Sequence, residues 1–293
     1  MQSQLYRNSL ESRVIDRAIV LALFLVSAVT LYPLIYLLVI SLSAAYEPNR
    51  FFYLWPQEPH LGAYRVVLAN QQFLRAFFNS ILYTTCGSLL SVVLTMATAY
   101  PLSIRTFPLR NTFTFIITFT LLFNGGLIPY YFLVKALGMV NTPWAMIVPG
   151  SLSAFNVILA RIYLQETIPG ELRDAARIDG ADDLTILARV VVPLSMPVVA
   201  VIGLFTAVGI WNSYFPALLF LNDSNLYPVA MLLRDLVIGA SQTGGVPPEL
   251  LHNTSVLAVR AATLVVSILP VLCVYPFLQR YFVRGLLLGA LKT

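Results

Sequence analysis

Glu171-Leu-Arg-Asp-Ala-Ala-Arg-Ile-Asp-Gly180, followed at Val190-Val-Val-Pro193 by a return to apolar sequence, is densely charged in a chain that is otherwise almost uniformly greasy. Hydrophobic residues make up 58% of the 293 positions and charged residues 11%, against the roughly 45–50% and 25% of soluble domains. The chain therefore reads as a membrane protein, and its charged stretch as an element that docks something outside the bilayer.

Outward from that stretch, six uncharged windows are long enough to cross a bilayer: Ala18 to Leu42, Ala76 to Ile104, Asn111 to Val134, Ala136 to Ala160, Val190 to Asn222 and Ala261 to Gln279. A crossing helix needs about 20 apolar residues, so the expectation is all-α and polytopic, about six transmembrane helices in a single domain over 1–293. The boundary between the third and fourth windows is the weakest, because Asn124-Gly-Gly126, Pro129 and Pro143 cluster there and only Lys135 separates them. Pro33, Pro149, Pro216, Pro270 and Pro276, within or at the ends of the windows, read either as kinks or as helix terminations.

Short loops rich in Lys and Arg stay on the cytoplasmic side. With the N-terminus inside, the inner segments hold Arg7, Arg13, Arg17, Arg105, Arg110, Arg161, Arg173, Arg177, Arg189, Arg280, Arg284 and Lys292, and the outer ones Arg50, Arg65, Arg75, Lys135, Arg234 and Arg260. That two-to-one bias places both termini and the charged loop, residues 165–193, in the cytoplasm. It also accounts for the net charge of +5 through topology, which argues against nucleic-acid binding. A cleaved signal peptide at Ser43-Ala-Ala45 is disfavoured, because the first window far exceeds an apolar core of about 7–15 residues.

Catalytic and metal chemistry find little support. Cys86 and Cys273 lie in apolar windows and suggest neither a disulfide framework nor a metal site, and His60 and His252 lack partners at ligand spacing. No Gly-x-x-x-x-Gly-Lys-Ser/Thr occurs, and the only lysines are Lys135 and Lys292, so the chain cannot itself cradle ATP in a P-loop. Membrane serines such as Ser88 and Ser91 have no base or acid beside them and suit helix packing.

Within the loop, Pro169 and the acid Glu171 mark a helix start. Leu172, Ala175, Ala176 and Asp179 then fall at helical spacing and form a small-residue face that another surface can approach closely. Gly180 suits the left-handed position that ends a helix, and Asp182 or Asp183 can cap a second one carrying Leu184, Ile186, Leu187 and Val190. The expected product is two short helices joined by a sharp bend. An amphipathic helix lying on the membrane is the competing reading, but the alanines offer little apolar area.

Asp174-Ala-Ala-x-x-x-Gly180, then nine residues, then Val190-x-Val-Pro193, resembles the EAA loop of permease subunits in bacterial ATP-binding-cassette (ABC) importers. There the signature reads Glu-Ala-Ala, three residues, Gly, nine residues, Ile-x-Leu-Pro, in the cytoplasmic loop before the penultimate span. Asp174 stands in place of Glu, and Val190 and Val192 in place of Ile and Leu. Asn124-Gly-Gly-Leu-Ile-Pro129, Leu137-Gly138, Asn141-Thr142, Trp211-Asn212 and Tyr281-Phe-Val-Arg-Gly285 extend the likeness to carbohydrate permeases of the maltose-importer type, nearest to those handling complex oligosaccharides such as alginate or pectin fragments.

The resemblance implies the MetI-like permease fold in a bacterial inner membrane. It implies a second permease subunit, usually a different chain, two ATPase subunits that carry ATP and Mg, and an extracytoplasmic solute-binding protein. No cofactor is expected on this chain, and the ATPases would do the hydrolysis. Glu171, Asp174, Ala175, Ala176, Arg177, Asp179, Gly180 and Asp183 become the candidate coupling residues. For a saccharide pathway, uncharged polar and aromatic groups are needed, and Asn156, Trp211, Asn212 and Tyr214 have that chemistry, although interhelical packing explains them equally well. The outer segments Ala44 to Arg75 and Asp223 to Arg260 would meet the binding protein. A proton- or sodium-coupled carrier is the rival function, disfavoured for protons because the windows hold no internal acid or base. A purely structural subunit is the other.

Overall fold

The computed structural model describes residues 10–43, 54–56, 58–238 and 255–290, with side chains assigned over 14–43, 54–56, 58–238 and 255–274. The described residues form helices and turns, with one isolated bridge between Ser43 and Pro59. The chain divides into two compact units: Met1–Asn70 with Gln242–Val266, and Gln71–Ser241 with Ser267–Thr293.

In the first unit, α1 (Leu10–Ser41) is followed by the short α2 (Gly62–Ala69). The side chains from Val14 to Val29 are all exposed and mostly apolar, which is the pattern of a helix facing lipid or another chain. At its end Ser41 Oγ and Tyr64 OH share a 2.6 Å hydrogen bond, and His60 N–H donates to Leu42 O at 2.8 Å.

The second unit begins with α3 (Gln71–Ser103) and α4 (Arg110–Leu122), then α5 (Leu127–Ala136), α6 (Trp144–Ile147) and α7 (Ala154–Thr167). The loop helices α8 (Gly170–Ile178) and α9 (Asp183–Ile186) come next, then a π-helical stretch at Leu187–Val191 and α10 (Val192–Leu194). After them come α11 (Met196–Trp211), α12 (Phe215–Phe220) and α13 (Val229–Ile238); α14 (Val256–Ala290), counted with the first unit up to Val266 and with the second from Ser267, closes the order. The π stretch falls just before Pro193, which has no N–H to continue the α-helical ladder.

Three helical segments are long and apolar enough to cross a membrane: Val14–Ser41, Gln71–Ser103 and Val256–Val274. The third window is instead a pair, Arg110–Leu122 and Leu127–Ala136, bent by 117°, and Asp183–Leu194 with Met196–Trp211 is bent by 86°. By length and composition the described residues thus offer three to five crossings, where the windows counted six. The fourth window is interrupted by Gly138, Asn141 and Gly150, all at positive φ. Its longest helix, α7, has 14 residues, or about 21 Å at 1.5 Å per residue. Among the prolines, Pro33 lies inside α1 and Pro216 in the first turn of α12.

The core that supports the charged loop joins Met96, Ala99, Tyr100 and Leu102 of α3, Val157, Ala160 and Leu164 of α7, Ile186, Val191, and Val198 and Ile202 of α11. Gly87 of α3 faces α11, where a Cβ would lie 2.5 Å from Ile210 Cδ1, in keeping with small residues at membrane helix contacts.

Candidate functional site

The charged loop folds as two short helices about a sharp bend. Pro169 is extended (φ −61°, ψ 145°), and Glu171 lies in the first turn of α8. At the other end Gly180 sits at φ +83°, its N–H donating to Arg177 O at 3.0 Å while Ala181 N–H donates to Ala176 O at 3.0 Å. These two bonds are the Schellman closure, which requires a left-handed residue where glycine stands. Asp182, rather than Asp183, caps α9: its Oδ1 accepts the Thr185 N–H at 3.0 Å. Those bonds hold the Asp182 carboxyl below its ordinary pKa. Asp183 instead takes Nη2 of Arg177 at 3.0 Å, which raises the pKa of the arginine.

The expected small-residue face is divided by packing. Ala176 and Ala181 lie against the α3–α7–α11 core, half-buried. Glu171, Leu172, Asp174, Ala175, Asp179, Gly180 and Asp183 are exposed. The outward apolar surface also includes Ile178, 86% exposed, and Leu184, 74% exposed. The sequence reading names neither among the candidate coupling residues. The signal was present in Ile178, an apolar residue inside the charged run, three and six positions beyond Ala175 and Leu172.

Beneath the loop, two guanidiniums converge on one carbonyl. Arg110 Nε donates to Leu102 O at 3.0 Å, Arg161 Nε donates to the same oxygen at 3.2 Å, and Gln165 Nε2 donates to Ser103 O at 3.4 Å. Cations at a helix C-terminus satisfy carbonyls that the helix leaves unpaired. Here they tie the end of α3 to α4 and to α7, which leads directly into α8. A groove of about 760 Å³ beside this junction is lined by Arg105, Arg110, Glu166, Glu171, Arg173 and Asp174 among others. Its mixed charge suits a protein surface carrying both signs.

The pathway candidates separate. Asn156 is buried, with Nδ2 3.4 Å from Thr206 Oγ1, which in turn lies 3.1 Å from Ser91 Oγ. This polar contact links α7, α11 and α3. Trp211, Asn212 and Tyr214 instead line one cavity of about 400 Å³ with residues of α13.

The segment leading into α13 is pinned from two sides. Asn79 Nδ2 donates to the carbonyls of Asn225 and Tyr227 at 2.8 and 3.2 Å, Tyr83 OH donates to Leu226 O at 2.9 Å, and Ser80 Oγ accepts Val229 N–H at 2.8 Å. Arg75 also bonds Asn225 Oδ1. Asn141, at φ 59°, accepts the N–H groups of Asn222 and Asp223 on Oδ1 at 2.9 and 2.8 Å.

Residues 87–287 match the family described as "Binding-protein-dependent transport system inner membrane component". The chain is 38% identical to Protein LplC of Bacillus subtilis, with 97% of each covered, and 36% identical to the polygalacturonan/rhamnogalacturonan transport system permease protein YtcP of the same organism, covering 97% of this chain and all of that one. A crystal structure of a bacterial ABC transporter involved in the import of the acidic polysaccharide alginate contains a chain that superposes with a TM-score of 0.86 at 34% identity, covering 94% of this chain and 98% of that chain. An all-helical multi-pass architecture, a bent charged loop and these matches converge, and the chain belongs to the binding-protein-dependent inner-membrane permease family as the permease subunit of an ABC-type importer.

Proposed function

We propose that this permease moves an oligosaccharide into a bacterial cell by alternating access, in a complex with a second permease of different sequence, two ATPase subunits and an extracytoplasmic solute-binding protein. ATP and Mg belong to the ATPases. Both termini and the Glu171 to Gly180 bend lie in the cytoplasm, in accord with the arginine bias. The saccharide class rests on the likeness to YtcP and to the alginate importer.

The observation that carries the coupling role is the bend itself, exposed on its outer side and packed through Ala176 and Ala181 on the core of α3, α7 and α11. A ligand or partner biases a two-state bundle only through groups that meet its two states differently. A short helix joined to α7 through the extended Ile168 and Pro169 and, through α9 and α10, to α11 provides such a group. ATP-bound closure of the ATPase dimer would push α8, and the Arg110–Arg161 junction would carry that push to α3.

The test is uptake of labelled oligosaccharide into proteoliposomes holding the full complex and its binding protein. Uptake that requires internal ATP and the binding protein is expected. Uptake driven instead by a proton or sodium gradient, or no uptake of any saccharide the binding protein holds, would overturn the proposal.

A further inference from the structure

The cavity beside Trp211 is lined by three kinds of group. Trp211 is 9% exposed and held edge-on to Phe77 at 5.9 Å and 89°, so the aromatic side is fixed in place. Asn212 gives one amide hydrogen to Val208 O at 2.9 Å, which leaves its carbonyl oxygen as an acceptor, and Tyr214 is 45% exposed. From α13 the lining adds Leu233 and Arg234. Arg234 bonds Asp235 at 3.0 Å through Nη1, and its side chain is only 30% exposed. A guanidinium has five N–H donors, so this one pair leaves most of them for a ligand. Asp235 is not among the lining residues, so the cavity wall carries the positive member of the pair.

The volume of about 400 Å³ falls in the range of small-ligand pockets. The position of Arg234 is set from a distance, because α13 starts at Val229, whose N–H is held by Ser80, after a segment anchored to Asn79, Tyr83 and Asn141. The cavity is thus a fixed cradle, with an aromatic wall, neutral hydrogen-bonding groups and one cationic fork.

We propose that this cavity is a saccharide subsite selective for a carboxylate-bearing sugar. Arg234 holds the carboxylate through paired N–H donors, Trp211 supplies an apolar wall for the ring, and Asn212 and Tyr214 meet its hydroxyls. This rests on the saccharide reading above and adds a charge preference to it. Arg234 is then a specificity residue rather than a membrane anchor.

The experiment measures uptake of trigalacturonate and of its methyl ester by the complete reconstituted importer with saturating binding protein. The wild type is expected to prefer the acid. Arg234→Gln should lower the acid-to-ester uptake ratio by about tenfold, the scale set by one charge-assisted hydrogen bond, and Arg234→Lys, which keeps the charge and loses the fork, should restore part of it. Asn212→Asp, which sets a second carboxylate in the same cavity, should lower the same ratio. If the wild type takes the acid alone, the same variants are read on acid uptake, with Arg234→Lys exceeding Arg234→Gln.

A ratio unchanged in both Arg234→Gln and Asn212→Asp overturns the proposal, as does equal loss of both substrates, which would mark a structural role. A wild type that imports only neutral saccharides overturns the charge preference and leaves the saccharide reading standing. A wild type that imports neither class overturns both.

Discussion

Arg177 reaches across the bend to Asp183, Nη2 to Oδ1 at 3.0 Å, so the only ion pair of the charged loop among the described residues joins its two helices rather than stabilising either one. Both side chains are more than half exposed, 52% and 65%, and exposed pairs of this kind contribute little to folding. The bend is therefore held by the backbone at Gly180 and by the Asp182 cap, and the Arg177–Asp183 pair stays exposed.

Gly180→Val should uncouple ATP hydrolysis from transport. No atom lies within 4 Å of a Cβ built at Gly180, so the cost is conformational, from φ +83°, and a left-handed conformation costs an L-residue about 1–2 kcal/mol. Gly180→Asn should be the mildest change, since Asn tolerates that region. The measurement is the ratio of substrate imported to ATP hydrolysed in assembled complexes. A wild-type ratio in Gly180→Val would sink the role assigned to the bend.

The two alanines should respond differently to bulk. Ala175 is exposed, so Ala175→Trp should leave the permease folded and displace the ATPase, while Ala176 packs on the core and Ala176→Trp should destabilise the chain by the roughly 1–3 kcal/mol of overpacking. Ile178→Asp and Leu184→Asp should also release the ATPase. Copurification of the ATPase, set against the amount of folded permease in the membrane, separates the cases. Retention of the ATPase in Ala175→Trp, Ile178→Asp and Leu184→Asp alike would exclude this face as the docking surface.

Arg110 and Arg161 should show strong non-additivity. Either one alone can still serve Leu102 O, whereas removing both leaves a helix-end carbonyl unpaired, at about 1–3 kcal/mol. Thermal unfolding of the solubilised complex for Arg110→Ala, Arg161→Ala and the double variant tests this. Simple addition of two small effects would mean the shared carbonyl is not the link between α3, α4 and α7.

Acid should weaken the cap of α9. The Asp182 carboxyl titrates below its ordinary value because Thr185 bonds its charged form. A depressed folded pKa gives stability that is present above the unfolded value of about 4 and is lost as pH falls through the lower folded one. Hydrogen exchange at the Thr185 amide should therefore stay flat from about pH 8 to 5, after correction for intrinsic rates, and speed up only below about 4. Asp182→Asn should cap the helix without that acid response. Loss of protection between pH 8 and 5 would contradict the assignment.

The sequence by itself determined the membrane class, through long uncharged windows that no soluble chain could hide, and the form of the charged loop. Its bend was legible because the cause is local: a glycine needing positive φ, an aspartate three residues before the amide it caps, and a proline that interrupts the helical ladder just beyond. Tertiary structure alone decided the rest. Helical spacing marks a stripe on α8, but only packing against α3, α7 and α11 decides that Ala176 turns inward while Ala175 and Ile178 turn outward. Asn156 looked equivalent to Asn212 as a polar residue in an apolar run, and what distinguishes them is Thr206, fifty positions away and brought into contact by folding. Asn124-Gly-Gly126 marks where the third window breaks, but neither its 117° bend nor the 86° bend of the fifth window is legible in hydropathy, because apolar content reports the solvent of a segment and not its direction. Arg234 is, in the sequence, one outer-side cation among six, and the pinned segment before α13 is what brings it to the cavity that Trp211 lines.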